Sequence, residues 1–259
     1  MKASPMNTHP NAIDPQEWQA RLELAACYRI FAMLGWAEMI YNHITIRVPA
    51  TLAGDQKQFL INPFGLHYSE VTASNLVKID TQGNILSPSK FPVNPAGFTV
   101  HAAIHNAMPD AHCVMHTHTT TGSAVACSAG GLALNNFYAA QLFDMVAYHD
   151  FEGITIHAGE APRLLNAIGN KPLVILRNHG LLAWGTTLAL TFVRLWTLQR
   201  ACEIQCMQAS LGPSIAVSHA VAKRTTSDGL QFDARFGAGQ DVFDAMRRLV
   251  DAQSPGYAV

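Results

Sequence analysis

Two histidines separated by one residue give the strongest chemical signal in the sequence. His116 and His118 fall in residues 113–118, whose mixed apolar and β-branched composition predicts a β-strand. Side chains alternate between the two faces of a strand, so this spacing places both imidazoles on one face, where they can share an ion. His179 is the expected third ligand, because it follows the apolar run 173–177 where a buried strand leaves the core. Three histidines with an open position make a Lewis-acid site.

An isolated H-x-H pair has a second interpretation, since both rings could hydrogen-bond backbone carbonyls or line a pocket. The chain has twelve histidines, so position has to separate them. His101 and His105 lie four residues apart on a predicted helix, a spacing that suits either metal binding or one packed helix face. Packing is favoured for His105, and both roles stay open for His101. His43, His67 and His149 could line a cleft or serve in the core or surface, and four others are predicted at the surface: His9, His112, His157 and His219.

Short strands and amphipathic helices are expected to position these residues. Strands are predicted over residues 44–48, 58–62, 77–80, 113–118 and 173–177, the first two as a hairpin. Helices are predicted over 18–34, 98–107, 121–127 and 187–211. No internal repeat or long linker divides the chain. We therefore predict a flexible tail over 1–13 and a single domain over 14–259 with a helical C-terminal extension.

Composition excludes several classes of function. The 259 residues are 49% hydrophobic and 14% charged, which excludes disorder over most of the chain. The formal net charge of -1 gives no basic footprint, so nucleic acid is not an expected partner. No stretch approaches the ~20 apolar residues that span a bilayer, and the polar start has no signal-like apolar segment. Five cysteines without a CxxC motif are expected to be reduced, and a cytoplasmic location follows.

Several blocks, in the same order and at similar separations, resemble the class II aldolase/adducin family. They are YNHITIR at 41–47, INPFGL at 61–66, NPAGFTVH at 94–101, MHTHT at 115–119, AYHDFEG at 147–153 and LRNHGLLAWG at 176–185. The resemblance covers roughly residues 15 to 210, and several motifs in order are more specific than any one alone.

The resemblance implies an α/β fold, with three α/β/α layers around a mostly antiparallel central sheet. It also implies a homotetramer with active sites between subunits and a small-molecule substrate. By the same resemblance, His116, His118 and His179 match the family's three metal-binding histidines, the set already selected from spacing. Zinc is the expected ion, and manganese, cobalt or iron remain alternatives because ligand type alone does not choose between them.

Three residues depart from the pattern of the sugar-phosphate aldolases. Those enzymes carry Ser-Ser-Glu before the helix, where the serines hold phosphate and the glutamate acts as acid/base; here the matching positions are Pro95, Ala96 and Gly97. None of these side chains can do that work. Asn42 and Gly65 match phosphate-side positions, but they could equally hold a carboxylate or shape turns.

The missing carboxylate favours decarboxylation over aldol cleavage. An aldol reaction needs a base to remove a carbon-bound proton, whereas loss of CO2 creates the carbanion directly and needs one acid to return a proton. Tyr138 or His101 is the expected proton donor, with His149 behind them. Arg177 could hold a substrate carboxylate or form a structural ion pair. The predicted function is a divalent-metal lyase acting on a small carboxylated, non-phosphorylated substrate.

Two further hypotheses stay open. A non-catalytic, adducin-like assembly module would keep the fold without the chemistry. A non-haem iron oxygenase could use the same three histidines to bind Fe(II) and O2. A neighbouring subunit could also complete the site, for example through a C-terminal residue such as Tyr257.

Overall fold

A seven-stranded sheet forms the centre of the molecule. In the computed structural model, which describes residues 13–49, 52, 57–154, 158–236 and 239–259, the strands follow the order β3-β2-β1-β4-β7-β6-β5. They are β1 (His43–Arg47), β2 (Gln58–Ile61), β3 (Val77–Asp80), β4 (Cys113–Thr117), β5 (Val146–His149), β6 (Leu173–Leu176) and β7 (Gly180–Gly185). Every neighbouring pair is antiparallel except β5 and β6. The expected mostly antiparallel α/β sheet is confirmed.

Helices cover both faces of this sheet. They are α1 (Pro15–Met33), α2 (Pro95–Ala107), α3 (Thr120–Ala126), α4 (Phe137–Gln141), α5 (Ala161–Ile168), α6 (Leu188–Ala209), α7 (His219–Phe236) and α8 (Gln240–Gln253). Short 3-10 turns lie at Tyr68–Glu70 and Ala158–Glu160. Among the described residues, no helix combines the length and apolar character needed to cross a bilayer.

Alternation along β4 shows how the two layers are built. Cys113 and Met115 pack into the core that α1 and α6 share, whereas Val114 packs with Val100 and Ile104 of α2 on the other face. His116 has the parity of Val114, so it faces the α2 side. The whole of β4 is buried, since the sheet is covered on both faces.

Most predicted elements are present, with small shifts at their ends. The β1–β2 hairpin is confirmed by antiparallel pairing. Helix α2 begins at Pro95 rather than residue 98, because the Asn94 side chain accepts a hydrogen bond from the N–H of Ala96 and caps the first turn. His118 lies one residue beyond β4 instead of inside the strand.

The C-terminal helices join the core on the α1 side. Phe243 and Val250 of α8 are buried in the same core as α1, and Tyr257 lies beside them. The predicted tail falls almost entirely on residues 1–12, outside the described residues, so the domain boundaries stay a prediction. All five cysteines are free thiols, as expected.

Candidate metal centre and the cavity around it

Three imidazole nitrogens converge at one edge of the sheet. The Nε2 atoms of His116 and His118 lie 2.7 Å apart, those of His118 and His179 2.9 Å, and those of His116 and His179 3.3 Å. Within the described part of the chain, this is the one cluster of metal-ligating side chains. The H-x-H pair and the distant third histidine are thus brought together.

A left-handed residue and one close backbone approach explain how His179 reaches the other two histidines. His179 sits in the short turn between β6 and β7, where Asn178 adopts a left-handed φ of +56°. At Gly180, a Cβ would collide with the carbonyl oxygen of Thr117. Only glycine allows this close pairing with β4, so Gly180 fixes the distance from His179 to the H-x-H pair.

Hydrogen bonds and burial prepare these rings for a cation. Nδ1–H of His116 donates to the carbonyl of Leu181 at 2.9 Å, which leaves Nε2 with its lone pair. Burial, with the neighbouring His118 and His149, lowers the pKa of His179 to about 4. Burial also lowers the pKa of His116 and of His118. All three are therefore neutral ligands at pH 7.

The donor set fits a divalent metal ion. A tetrahedral ion with bonds of about 2.0–2.1 Å to nitrogen separates its ligands by about 3.4 Å, so ring movements of a few tenths of an ångström suffice. A neutral ring carries a lone pair on one nitrogen, so three converging Nε2 atoms can present their lone pairs to one cation. Imidazole ligands suit zinc, iron, cobalt and nickel alike, and the geometry does not choose between them.

The histidines lie at one end of a cavity of about 410 Å³. Apolar side chains form much of its wall, including Val100, Leu176 and the exposed Phe151 and Ile154. Among the residues that the structure describes at this wall, none is Lys, Arg, Asp or Glu. A larger cavity of about 530 Å³ lies between α4, α6 and α7, and its described lining contains no histidine or cysteine.

Comparisons with known proteins agree with the fold and with these motifs. The family described as class II aldolase and adducin N-terminal domain matches residues 22–206. The chain belongs to the class II aldolase and adducin family. It is 39% identical to mouse alpha-adducin over 93% of its own length, and it spans about a third (34%) of that protein.

Two solved structures share the fold over nearly the whole chain. An aldolase II superfamily protein from Pseudomonas syringae is 35% identical with a TM-score of 0.87, covering 98% of this chain and 100% of that one. An L-fuculose 1-phosphate aldolase from Glaciozyma antarctica is 26% identical with a TM-score of 0.80, covering 98% and 97%. The three-layer architecture is therefore that of the class II aldolases.

The two positions that match the family's phosphate side do not line the cavity. Asn42 is 1% exposed, and its amide is used inside the protein: Nδ2 donates to Trp36 O at 2.6 Å and Oδ1 accepts from the N–H of His118 at 3.0 Å. Asn42 therefore positions His118, and its expected role in substrate binding stays a prediction. Gly65 adopts a φ of +106° and shapes a turn.

Arg177 and His149 lie beside the triad and have internal partners. The Arg177 guanidinium stacks over the Tyr148 ring at 4.7 Å, and its Nε lies 3.7 Å from Asp150. These contacts favour the structural alternative for Arg177. His149, at the end of β5, has Nε2 3.0 Å from a Glu160 carboxylate oxygen. Neither side chain borders the main cavity among its described lining.

Tyr138 and His101 are not placed to give a proton to a substrate in this cavity. Tyr138 packs edge-on against Trp196 of α6 at 5.6 Å and does not line the cavity. His101 is 0% exposed and also absent from the wall. Neither residue borders the cavity in the single chain, and because a proton donor must touch the substrate, their catalytic roles stay predictions.

A buried hydrogen-bonded chain links α2 to the sheet. His105 Nδ1–H donates to the carbonyl of Ala111 at 2.8 Å, so its Nε2 accepts from the Thr45 hydroxyl at 2.8 Å. The Thr45 oxygen therefore accepts from Nδ1–H of His101 at 2.7 Å. The lone pair on Nε2 of His101 has no partner among the described residues. We call this chain the Thr45 relay.

The remaining predicted histidines divide between core and surface. His105 is buried and stacks on Phe59 at 4.5 Å, as packing predicts. His112 is half-buried rather than at the surface, and burial lowers its pKa. His67 and His219 are exposed, whereas His9 and His157 fall outside the described residues.

Sequence reasoning left the role of His43 open, although it borders the cavity. Its ring lies 5.3 Å from the His116 ring and 4.3 Å from the His101 ring. The signal lies in the register, since His43 pairs directly with His116 across β1 and β4. That pairing cannot be read from either strand alone.

Proposed function

We propose that this protein is a divalent-metal-dependent carbon–carbon lyase. The convergence of three Nε2 atoms within 2.7–3.3 Å at the end of an apolar cavity carries the proposal. His116, His118 and His179 would hold the ion, with zinc preferred. A bound divalent ion supplies Lewis-acid stabilisation of negative charge on a substrate oxygen.

The cavity favours a small carboxylated substrate without a phosphate group. A phosphate is typically held by cationic side chains, and the described wall carries neither Lys nor Arg. Its polar groups besides the histidines include the amide side chains of Asn94 and Asn178, which suit a neutral or singly charged group. The relative named L-fuculose 1-phosphate aldolase has, by its name, a phosphorylated substrate, and the cavity of this chain favours a different one.

Decarboxylation is preferred to aldol cleavage because the described wall carries no carboxylate base. Removing a carbon-bound proton requires a base, for which the described wall offers imidazole nitrogens but no carboxylate, whereas the loss of CO2 leaves the electron pair behind without one. The chain's own residues then need to orient the substrate, exclude water and return one proton. Val100 and Leu176 provide buried apolar surface at the wall that excludes water.

Metal content is the decisive experiment. Untagged protein should contain about one equivalent of a transition metal per chain by elemental mass spectrometry. His116→Ala and His179→Ala should each lose the metal while circular dichroism shows an intact fold. His67→Ala, at an exposed histidine that caps the 3-10 turn 68–70, is the matched control and should keep full metal content. A triad variant that keeps its metal would refute the ligand assignment.

A second candidate function follows from the similarity to alpha-adducin over 93% of this chain. An adducin-like assembly module would need no metal. Protein that is empty as purified and takes up no zinc, manganese, cobalt or iron would favour this candidate. If iron is found instead, oxygen consumption in the presence of hydroxy acids separates an oxygenase from a lyase, which releases CO2 without oxygen.

We also propose a homotetramer, since active sites in this family are expected between subunits. Large apolar side chains are exposed on the single chain, among them Phe137, Met207 and Leu211 at 67%, 73% and 85% exposure. Contact between copies would cover such surface. Light scattering after size exclusion gives the mass directly, and a monomer at micromolar concentration would contradict this proposal.

A further inference from the structure

His43 occupies space that a side chain at position 97 would require. An ideal Cβ on Gly97 would lie 2.7 Å from Nδ1 of His43 and 2.8 Å from its Cγ and Cε1. Real Cβ atoms do not approach ring atoms this closely, so either the ring or the first turn of α2 would have to move. The glycine at 97 and the ring of His43 are therefore one packed unit at the cavity wall.

The surroundings of the His43 ring leave one nitrogen for a ligand. Its Nδ1 lies 3.4 Å from the carbonyl oxygen of Tyr41; we assign the ring proton to Nδ1 because it faces that acceptor, which leaves the lone pair on Nε2. His101 packs against the ring at 4.3 Å, but its own N–H is already donated to Thr45. The Thr45 relay thus has no proton to offer His43.

We propose that His43 is a substrate-recognition residue whose Nε2 accepts a hydrogen bond from a hydroxyl group of the substrate. This inference rests on the proposed function, because it assumes that the substrate is bound next to His116, 5.3 Å from the His43 ring. The substrate class is then a hydroxylated carboxylic acid. An acceptor nitrogen at this point selects against analogues whose hydroxyl is methylated, since an ether cannot donate.

Gly97 determines specificity through His43. A larger residue at 97 would displace the imidazole from the wall, and the acceptor would be lost with it. Three groups contact the ring from other sides: the buried His116 across the sheet, the buried His101 on α2 and the backbone carbonyl of Tyr41. The ring is 6% exposed, so it is held rigidly at the cavity edge.

The packing part is tested on the metal-free protein by thermal unfolding. Gly97→Ala should lower Tm by about 2–4 °C or more, as expected for a strained contact in a chain of this size. In the His43→Ala background, where the ring is gone, Gly97→Ala should change Tm by less than about 1 °C. Equal shifts in both backgrounds would overturn the proposed coupling. No metal or substrate enters this measurement, so it stands apart from the proposed function.

The recognition part is tested with glycolate and methoxyacetate as probes on cobalt-loaded protein, followed by visible absorption. His43→Asn places an amide near Nδ1, whereas His43→Gln places one near Nε2. We expect His43→Asn to weaken glycolate binding about tenfold, the loss of one hydrogen bond, and His43→Gln to retain affinity within about threefold. Methoxyacetate should bind both variants and the wild type alike.

The outcomes distinguish the two levels of inference. If the His43→Asn variant binds cobalt and still binds glycolate as tightly as the wild type does, the role of His43 is refuted and the lyase proposal stands. Equal affinity of the wild type for both probes refutes that role as well. A wild-type protein that takes up no cobalt refutes the proposed function and this inference together.

Discussion

Replacement of Thr45 by valine is the sharpest test of the buried histidine chemistry. The two side chains have nearly the same shape, and Thr45 is 1% exposed, so the change removes a hydroxyl without opening a cavity. That hydroxyl accepts from His101 Nδ1 at 2.7 Å and donates to His105 Nε2 at 2.8 Å. Both imidazole atoms would be left buried without a partner.

The expected loss follows from these two orphaned groups. An unsatisfied buried polar group costs about 1–3 kcal/mol, so Thr45→Val should lower the free energy of unfolding by about 2–6 kcal/mol. Thr45→Ser is the matched control, because it keeps the hydroxyl and loses only a methyl group, worth about 1 kcal/mol. The order of stability should therefore be threonine, serine and then valine.

Urea unfolding of the metal-free protein, followed by circular dichroism and fluorescence, measures this difference. Nitrogen NMR of the wild type adds an independent readout, since it should show the Nδ1–H tautomer for both His101 and His105. A valine variant as stable as the serine variant would refute the Thr45 relay. An Nε2–H tautomer at His105 would refute the assigned direction of its hydrogen bonds.

Three further predictions concern pH, backbone approach and metal. Burial lowers the pKa of His105 to about 3, so below pH 6.5 the unfolded chain binds more protons than the folded one, and stability falls with falling pH. Between pH 7 and 5 His105 should account for a loss of about 2 kcal/mol in the free energy of unfolding. His105→Gln should remove this part of the pH dependence measured by urea unfolding. Gly180→Ala should weaken metal binding at least tenfold and cost about 1–3 kcal/mol, because its Cβ meets the Thr117 carbonyl, whereas Gly130→Ala, with open space, should do neither. Chelation of the bound metal should lower Tm, and excess zinc at about a thousand times its Kd should restore about 4 kcal/mol of stability; an unchanged Tm would contradict the site.

The three histidines could be selected from the sequence because the signals that mark them lie within short segments. An H-x-H pair and an apolar strand ending in histidine are readable within a few residues, and the ordered motifs indicated the fold. The helix and strand positions followed from caps and alternation to within three residues at α2. These features depend on neighbours in sequence, which one chain displays completely.

The cavity wall could not be predicted, because it depends on register and on the approach of distant segments. His43 gains its place from pairing with His116, 73 positions later in the chain, and from the missing side chain at Gly97. Asn42 matched a ligand-binding position in the motif, yet its amide is used to hold the backbone of His118. Tyr138 was selected by residue type, and type alone does not say which layer a side chain enters.

The buried imidazoles bear on the choice between a lyase and an assembly module. Among the described residues five histidines are buried, and two of them, His43 and His116, border the cavity at the candidate metal centre. Apolar residues of similar volume at these places would make a more stable scaffold. A surface that served assembly alone would gain nothing from this arrangement. This arrangement is explained if His116 holds a metal ion and His43 contacts the molecule bound beside it, which is why the enzyme proposal is preferred.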